Sequence, residues 1–340
     1  MLKEELIKLA WKHLDFLTKP KRSLGRLEEI AVQLVAIYEN PKLELPKKVI
    51  LVFAGDHGVV EEGVSAYPKE VTAQMVFNFL RGGAGINVLA RHAGAEVIVV
   101  DVGVDYEFEK VEGLFHKKVV RGTKNFLKER ALSKEEAERV IEVGKEAVRE
   151  AIKRGFNLIG LGDMGIGNTT ASSAITAVIT GRPVEEVTGR GTGITEEMYN
   201  KKIEVIKKAI ELHKPNPQDA LEVLSKVGGA EIGAIAGACL ACAENKVPAV
   251  IDGFISSAGA LLAYKLNPEI KDYLIASHRS EEIGHQAILD YMGLKPLLDL
   301  NLRLGEGTGA ALAMLIIEGA IKIYREMATF ESAKVSTSIV

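Results

Sequence analysis

The sequence predicts an α/β fold, a parallel sheet with helices on both faces, plus a smaller helical lobe. Three observations carry this expectation. Short β-branched apolar runs recur along the chain and end in Gly, Asp, His or Ser, as in "KKVILVFAGDHG" (47–58). Segments with apolar residues at helical spacing separate those runs. Both ends of the chain are helical in pattern and lie outside the alternation. Strand–helix alternation builds a parallel sheet through crossovers, and strands covered on both faces read as continuous apolar stretches.

In chain order, residues 2–17 and 24–38 carry helical spacing and are joined by "TKPKRS", with Ser23 as a candidate N-cap of the second helix. The strand runs are 47–58, "AEVIVVDVGVD" (95–105), "FNLIGLGDMGIGN" (156–168), "VPAVIDGFISS" (247–257) and "DYLIASHRSEEIG" (272–284). Helices are expected over 68–80, 84–93, 133–153, 169–180, 196–212, 218–225, 230–244, 256–265 and 281–292. The stretch 302–329 returns to helix, and "ESAKVSTSIV" (331–340) reads as a tail. The expected division is a core of residues 31–290 and a helical lobe formed by 1–30 together with 291–340. Ligands bind outside the carboxyl ends of the strands in such sheets, so one site built from several loops is expected there.

Composition excludes several classes. The 340 residues are 47% apolar and 26% charged, with a net charge of −3 and no long basic block. Aromatic residues make up only 6%. Neither a nucleic-acid footprint nor a base-stacking platform is expected. No apolar stretch approaches the roughly 20 residues of a membrane span. "MLKEELIKLAWKHLDFL" is an amphipathic helix interrupted by charges, unlike a signal peptide. The expectation is a cytoplasmic protein with no membrane partner. Cys239 and Cys242 share a C-x-x-C spacing. They lie in an Ala/Gly-rich helical stretch with no second cysteine pair and no matched His, and read as buried small residues.

Several loops carry polar groups at strand ends. In "GLGDMGIGNTTASSA" (160–174), Gly160, Gly162, Gly165 and Gly167 follow an apolar run, and Asn168, Thr169 and Thr170 open a helix. A helix N-terminus binds anions and glycines admit a phosphate closely. A tight turn capped by Asn168 or Thr169 accounts for the same residues. The loop is neither a P-loop nor a G-x-G-x-x-G fingerprint. "VTGRGTGIT" (187–195) precedes a helix bearing Lys201 and Lys202, which read as a phosphate neighbourhood or as a solvated face. Asp252 stands at a strand end as a ribose-hydroxyl acceptor or a cap. His278 and His285 lack a clear third metal ligand, and Arg279 and Ser280 suit an oxyanion better. Asp56 and His57 end the first strand, readable as acid/base groups or as a structural pair. Ser65, Tyr67 and Gln74 follow as candidate pocket residues.

"LRLGEGTGAALAM" (302–314) places Glu306 between two glycines at the mouth of an apolar helix. A buried carboxylate is costly unless paired or used. Glu306 is open to three readings: a helix cap, a cation ligand, or a base.

The segments "LTKPKRSLGRLE", "AGDHGVVEEGVSAYPKEVT", "GDMGIGNTT", "TGRGTG", "IDGFISSAGAL", "SHRSEEIGH" and "LRLGEGTGAALA" follow one another in register. Together they resemble the nicotinate-nucleotide–dimethylbenzimidazole phosphoribosyltransferase (CobT) family, over nearly the whole chain. The resemblance implies a Rossmann-like parallel sheet with a smaller helical lobe, a homodimer, and no metal or other cofactor. It implies transfer of phosphoribose from nicotinate mononucleotide to 5,6-dimethylbenzimidazole, giving α-ribazole 5′-phosphate and nicotinate. Its general base falls on Glu306. Its second carboxylate, often glutamate, falls on Asp163. Gly165, Gly167, Asn168, Thr169 and Ser280 fall on the phosphate and ribose site, with Lys202 nearby. Ser65, Tyr67 and Gln74 fall on the base pocket, and Asp252, Leu304 and Gly305 on further substrate contacts. "KPKRSLGRLE" departs from the usual "KPPGSLGRLE" in a helix lead-in.

On this reading a cap has no need of flanking glycines, and a cation needs further oxygen ligands nearby. The glycines would leave room for a flat azole, and the apolar helix would keep the carboxylate basic. Alternatives are a purine or phenolic acceptor on the same scaffold, a non-catalytic nucleotide binder, and a dinucleotide-dependent oxidoreductase. A pure binder has no use for a buried base, and the oxidoreductase lacks its fingerprint.

Overall fold

The computed structural model describes residues 2–191 and 193–336. Among the described residues, eight strands are β1 (Lys48–Gly55), β2 (Ala95–Gly103), β3 (Leu114–His116), β4 (Leu158–Met164), β5 (Ala249–Ile251), β6 (Leu274–Ala276), β7 (His278–Ser280) and β8 (Leu298–Leu302). The first six form one sheet in the order β3-β2-β1-β4-β5-β6, every pairing parallel. This is the doubly wound order whose direction of winding reverses between β1 and β4. β7 and β8 form a separate parallel pair beyond the end of β6.

The helices are α1 (Glu4–Asp15), α2 (Arg26–Tyr38), α3 (Glu70–Leu80), α4 (Gly85–Ala93), α5 (Lys134–Lys153), α6 (Asn168–Thr180), α7 (Val184–Val187), α8 (Glu196–His213), α9 (Ala220–Val227), α10 (Ala230–Glu244), α11 (Phe254–Leu266), α12 (Ile283–Met292), α13 (Thr308–Glu326) and α14 (Phe330–Ala333). Side chains alternate across each strand, so β1 feeds two cores. Val49, Leu51 and Phe53 pack with α5, α6 and α8 to α12. Ile50, Val52 and Ala54 pack with α1 to α4 and α13. Both faces of β1 are thus buried along its whole length, which explains its unbroken apolar run.

The chain ends meet. The Thr18 N–H donates to the Ala328 carbonyl at 2.9 Å and the Phe330 N–H to the Phe16 carbonyl at 3.1 Å. A His13 ring nitrogen lies 2.7 Å from the Tyr324 carbonyl.

Four expectations change. Ser23 does not cap α2; Gly25 precedes the helix with φ of 51°, and the Glu28 carboxylate accepts the Leu24 N–H at 2.9 Å. The run 272–284 splits into β6 and β7. The stretch 302–329 is not helical from its start: residue 302 ends β8, and α13 begins at Thr308 after a glycine turn. The expected tail contains α14, capped by Thr329; residues 337–340 lie outside the described residues.

Candidate active site

A cavity of about 750 Å³ opens at the carboxyl end of the sheet, bounded by segments following β1, β4, β5, β7 and β8. That is the place predicted for a doubly wound sheet. Most sequence-predicted residues line it. Ser65 and Tyr67 come from the segment before α3. Asp163, Gly165, Gly167, Asn168 and Thr169 come from β4 and the start of α6. Ser280 ends β7, and Leu304, Gly305 and Glu306 precede α13.

Glu306 is buried and stands in the left-handed region with φ of 62°, between Gly305 at 81° and Gly307 at 92°. Three successive positive φ angles explain the glycines: a side chain at either flank would be strained. Gly307 also lies against Ile50. Beneath the turn, a Cβ at Gly162 would come within 2.4 Å of the Glu306 carbonyl oxygen. Two glycines of "IGLGDMG" therefore admit α13 and its turn onto β4: Gly162 faces the turn and Gly160 faces Ala310 and Met314. Gly160 and Gly162, read from the sequence as part of a phosphate-binding loop, thus serve the close packing of α13 and its turn, while Gly165, Gly167 and Gly305 line the cavity.

One Glu306 oxygen, Oε2, accepts the Ile86 N–H at 3.0 Å, at the second residue of α4. Capping, which the flanking glycines had argued against, is thus part of what this carboxylate does. It caps α4 while lining the cavity. Burial raises its pKa above the ordinary range; the Ile86 N–H opposes this and the Asp252 charge adds to it.

Asp163 lies near the end of β4. Its Oδ2 accepts from Asn168 Nδ2 at 3.1 Å, and its Oδ1 is buried without a partner. Burial raises its pKa well above the usual range, helped by the charges of Asp252, Glu231 and Glu306 and opposed by Asn168. Asn168 does not cap α6. Gly167 does so, with φ of 93°, and Asn168 and Thr169 are the first helical residues. The 13-residue helix points its N-terminus, the positive end of its dipole, at the cavity.

Three predicted residues are placed off the cavity wall. Gln74 is exposed on α3 and does not line the cavity that Val71 and Met75 of that helix reach. Lys202 is fully buried behind the wall, neither on a solvated face nor on the cavity. Its Nζ donates to Thr169 Oγ1 at 2.8 Å and to the Gly189 carbonyl at 3.1 Å. Burial lowers its pKa to about 8, opposed by Glu282. Asp252 lies under α13 rather than on the wall. Its carboxylate accepts the Gly307 and Ala310 N–H groups at 3.0 Å each.

Two residues that the sequence did not assign to the substrate site also line the cavity: His278, weighed there only as a metal ligand, and Glu282. Both are almost wholly buried. The alternation of β7 holds the signal: His278 and Ser280 point in, while Arg279 points out toward Asp299. His285 Nδ1 accepts the Ser280 N–H at 2.9 Å and its Nε2 meets Ser257 Oγ at 2.8 Å. Burial lowers its pKa to about 3, so it is a neutral structural histidine. His57 pairs with Glu231 at 2.6 Å, not with Asp56, whose carboxylate accepts the Asp105 N–H at 2.8 Å. Both cysteines are free and fully buried, as expected.

A phosphoribosyltransferase family model matches residues 1–335. The nicotinate-nucleotide–dimethylbenzimidazole phosphoribosyltransferase of Geotalea uraniireducens (strain Rf4) is 60% identical over 323 residues, covering 95% of this chain and 92% of that protein. The enzyme of the same name from Geobacter sp. (strain M21) is 57% identical over 334 residues, covering 98% and 96%. The crystal structure of CobT from Thermus thermophilus superimposes with a TM-score of 0.94 at 50% identity, covering 98% of this chain and 100% of that one. With its doubly wound sheet and its glutamate-bearing turn over β4, the chain belongs to the family of nicotinate-nucleotide–dimethylbenzimidazole phosphoribosyltransferases.

Proposed function

We propose that this chain transfers the phosphoribosyl group of nicotinate mononucleotide to 5,6-dimethylbenzimidazole, a step in assembling the nucleotide loop of cobalamin. The products are α-ribazole 5′-phosphate and nicotinate. The observation that carries this reading is a buried, poorly solvated carboxylate, Glu306, on the wall of a cavity whose other side is the N-terminus of α6.

One ring nitrogen of the acceptor attacks C1′ of the nucleotide. The bond to nicotinate breaks, and its electron pair returns to the pyridinium nitrogen, which leaves as a neutral ring. The anomeric carbon inverts. The proton on the other azole nitrogen passes to Glu306, whose raised pKa makes it a stronger base than a surface glutamate. Burial holds the pKa of Asp163 above the usual range as well, and Glu306 is the carboxylate assigned the proton here. The 5′-phosphate sits at the Gly165–Thr169 turn, where the α6 dipole favours an anion. Lys202 acts there through Thr169 and Gly189. Ser280 meets the ribose. Ser65 and Tyr67 line the base slot with Leu304 and Gly305, and Val71, Met75 and Phe254 give it an apolar wall. Positioning of the two substrates carries much of the catalysis.

A homodimer is part of the proposal. Tyr67 and Leu304 line the cavity yet are 54% and 60% exposed, which a second copy would relieve. A phosphorylated nucleotide as substrate and two free thiols support a cytoplasmic setting. Among the described residues no helix is long and apolar enough to cross a membrane. The contacts between the chain ends support treating residues 1–30 and 291–340 as one lobe.

Purified protein given nicotinate mononucleotide should release nicotinate only when dimethylbenzimidazole is present, with the α-anomer as product by NMR. Turnover with adenine or a phenol and none with dimethylbenzimidazole would select the alternative acceptor.

A further inference from the structure

Asp252 was expected on the substrate side of the site, yet it makes no part of the cavity wall. It is fully buried just past the end of β5. Its Oδ2 accepts the Gly307 N–H and its Oδ1 the Ala310 N–H, both at 3.0 Å. Gly307 is the residue after Glu306, and Ala310 is in the first turn of α13. On its other side, His278 Nδ1 lies 3.7 Å from Oδ1. Ser277 Oγ donates to the Asp252 carbonyl at 3.1 Å and meets His278 Nδ1 at 2.9 Å, which leaves that nitrogen as the donor. Gly309 completes the fit: a Cβ there would lie 2.0 Å from His278 Nδ1 and 2.9 Å from Asp252 Oδ1. The carboxylate is thus held between a helix N-terminus and an imidazole, with no route to a ligand.

We infer that Asp252 is a positioning residue for Glu306. Its carboxylate clamps the main chain of the left-handed turn so that the Glu306 side chain meets the cavity. The inference rests on the reading of Glu306 as the base. A left-handed glutamate is disfavoured on its own and persists only where its surroundings over-determine it. Two contacts supply that here. Gly162 supports the turn from below and Asp252 ties it from the β5 side. The clamp also carries charge. The charged and titratable groups facing Glu306 are Asp163 from β4 and Asp252 from β5, with His278 of β7 behind Asp252. A negative Asp252 disfavours a second negative charge at Glu306 and so keeps it basic.

The test compares Asp252→Asn, Gly309→Ala and Glu306→Gln with the parent protein in steady-state kinetics across pH. Asparagine keeps the shape and removes the charge. Asp252→Asn should lower kcat about 10- to 100-fold, since a small displacement of a base costs that much. Both KM values should stay within about threefold. The acid limb of kcat, where Glu306 gains its proton, should move to lower pH. Gly309→Ala inserts a methyl group between the clamp and its histidine in a helix-compatible residue. It should lower kcat with KM retained, and it serves if Asp252→Asn does not fold. An Asp252→Asn protein whose nucleotide KM rises at unchanged kcat would make Asp252 a substrate ligand and overturn the inference. So would an unmoved acid limb, or parental kcat in Gly309→Ala. Glu306→Gln separates the two readings. If it is inactive while the clamp variants are normal, only the clamp fails; if it keeps the parental rate, the base reading fails.

Discussion

Glu306 combines three features that a surface glutamate never needs together: a positive φ, a buried carboxylate and a main-chain donor from another helix. The first two disfavour the folded state in some measure, and a site that must deliver a base keeps them. The folded-state pKa of Glu306 is raised above its unfolded value. Between those two values the folded chain binds more protons than the unfolded one, so this group's contribution to stability falls as pH rises through that window. Glutamine retains an acceptor for the Ile86 N–H without the charge. Glu306→Gln should therefore melt higher than the parent protein at pH 8, by about 2 °C, and the gap should shrink as the pH is lowered toward the ordinary glutamate range. Differential scanning calorimetry across pH checks this; a gap independent of pH would show that burial of the charge carries no such cost.

At the scale of elements, α13 and the turn before it approach the main chain of β4 closely. A Cβ at Gly162 would meet main-chain atoms of Glu306 and Gly307, which cannot rotate away. A Cβ at Gly160 would meet the methyl ends of Ile50 and Met314 and the Ala310 Cβ. Gly162→Ala should destabilise by about 1–3 kcal/mol, the range for overpacked cores. Gly160→Ala should cost less. Equal midpoints for the two in urea denaturation would remove the main-chain contact as the cause. Apolar runs identified β1, β2 and β4, and helical periodicity identified the major helices, because those patterns are local. β3, β7 and β8 are short, and β7 and β8 pair only with each other. Their pairing depends on residues about twenty positions apart, so no local pattern announces it.

The same distinction governs the site. Residues delivered by strand ends, such as Asp163, Gly165 and Ser280, were legible because a parallel sheet collects its strand ends at one edge. The resemblance put Gln74 in the base pocket and Lys202 near the phosphate, and Asp252 was expected among the substrate contacts; none of the three lines the cavity, because side-chain orientation is not legible in the sequence. His278 and Glu231 went unassigned because their partners lie far along the chain: Asp252 for the first, His57 for the second.

For the whole molecule, the doubly wound sheet gathers buried carboxylates near one edge, among them Asp163, Asp252 and Glu306, and Asp163 and Glu306 reach the cavity. Burial pushes all three pKa values up; the charge of Asp252 adds to the rise at Glu306, and those of Asp252, Glu231 and Glu306 add to it at Asp163. Sedimentation equilibrium should give about twice the 36.8 kDa of one chain, and a mass of one chain at micromolar concentration would count against the homodimer. The central claim, that Glu306 takes the proton from the attacking base, is tested most directly by Glu306→Gln in the transfer assay. The account predicts that kcat falls about 100-fold or more, the range for loss of a general base, while nicotinate mononucleotide binds as before in calorimetry. A variant that transfers phosphoribose to dimethylbenzimidazole at the parental rate would contradict it.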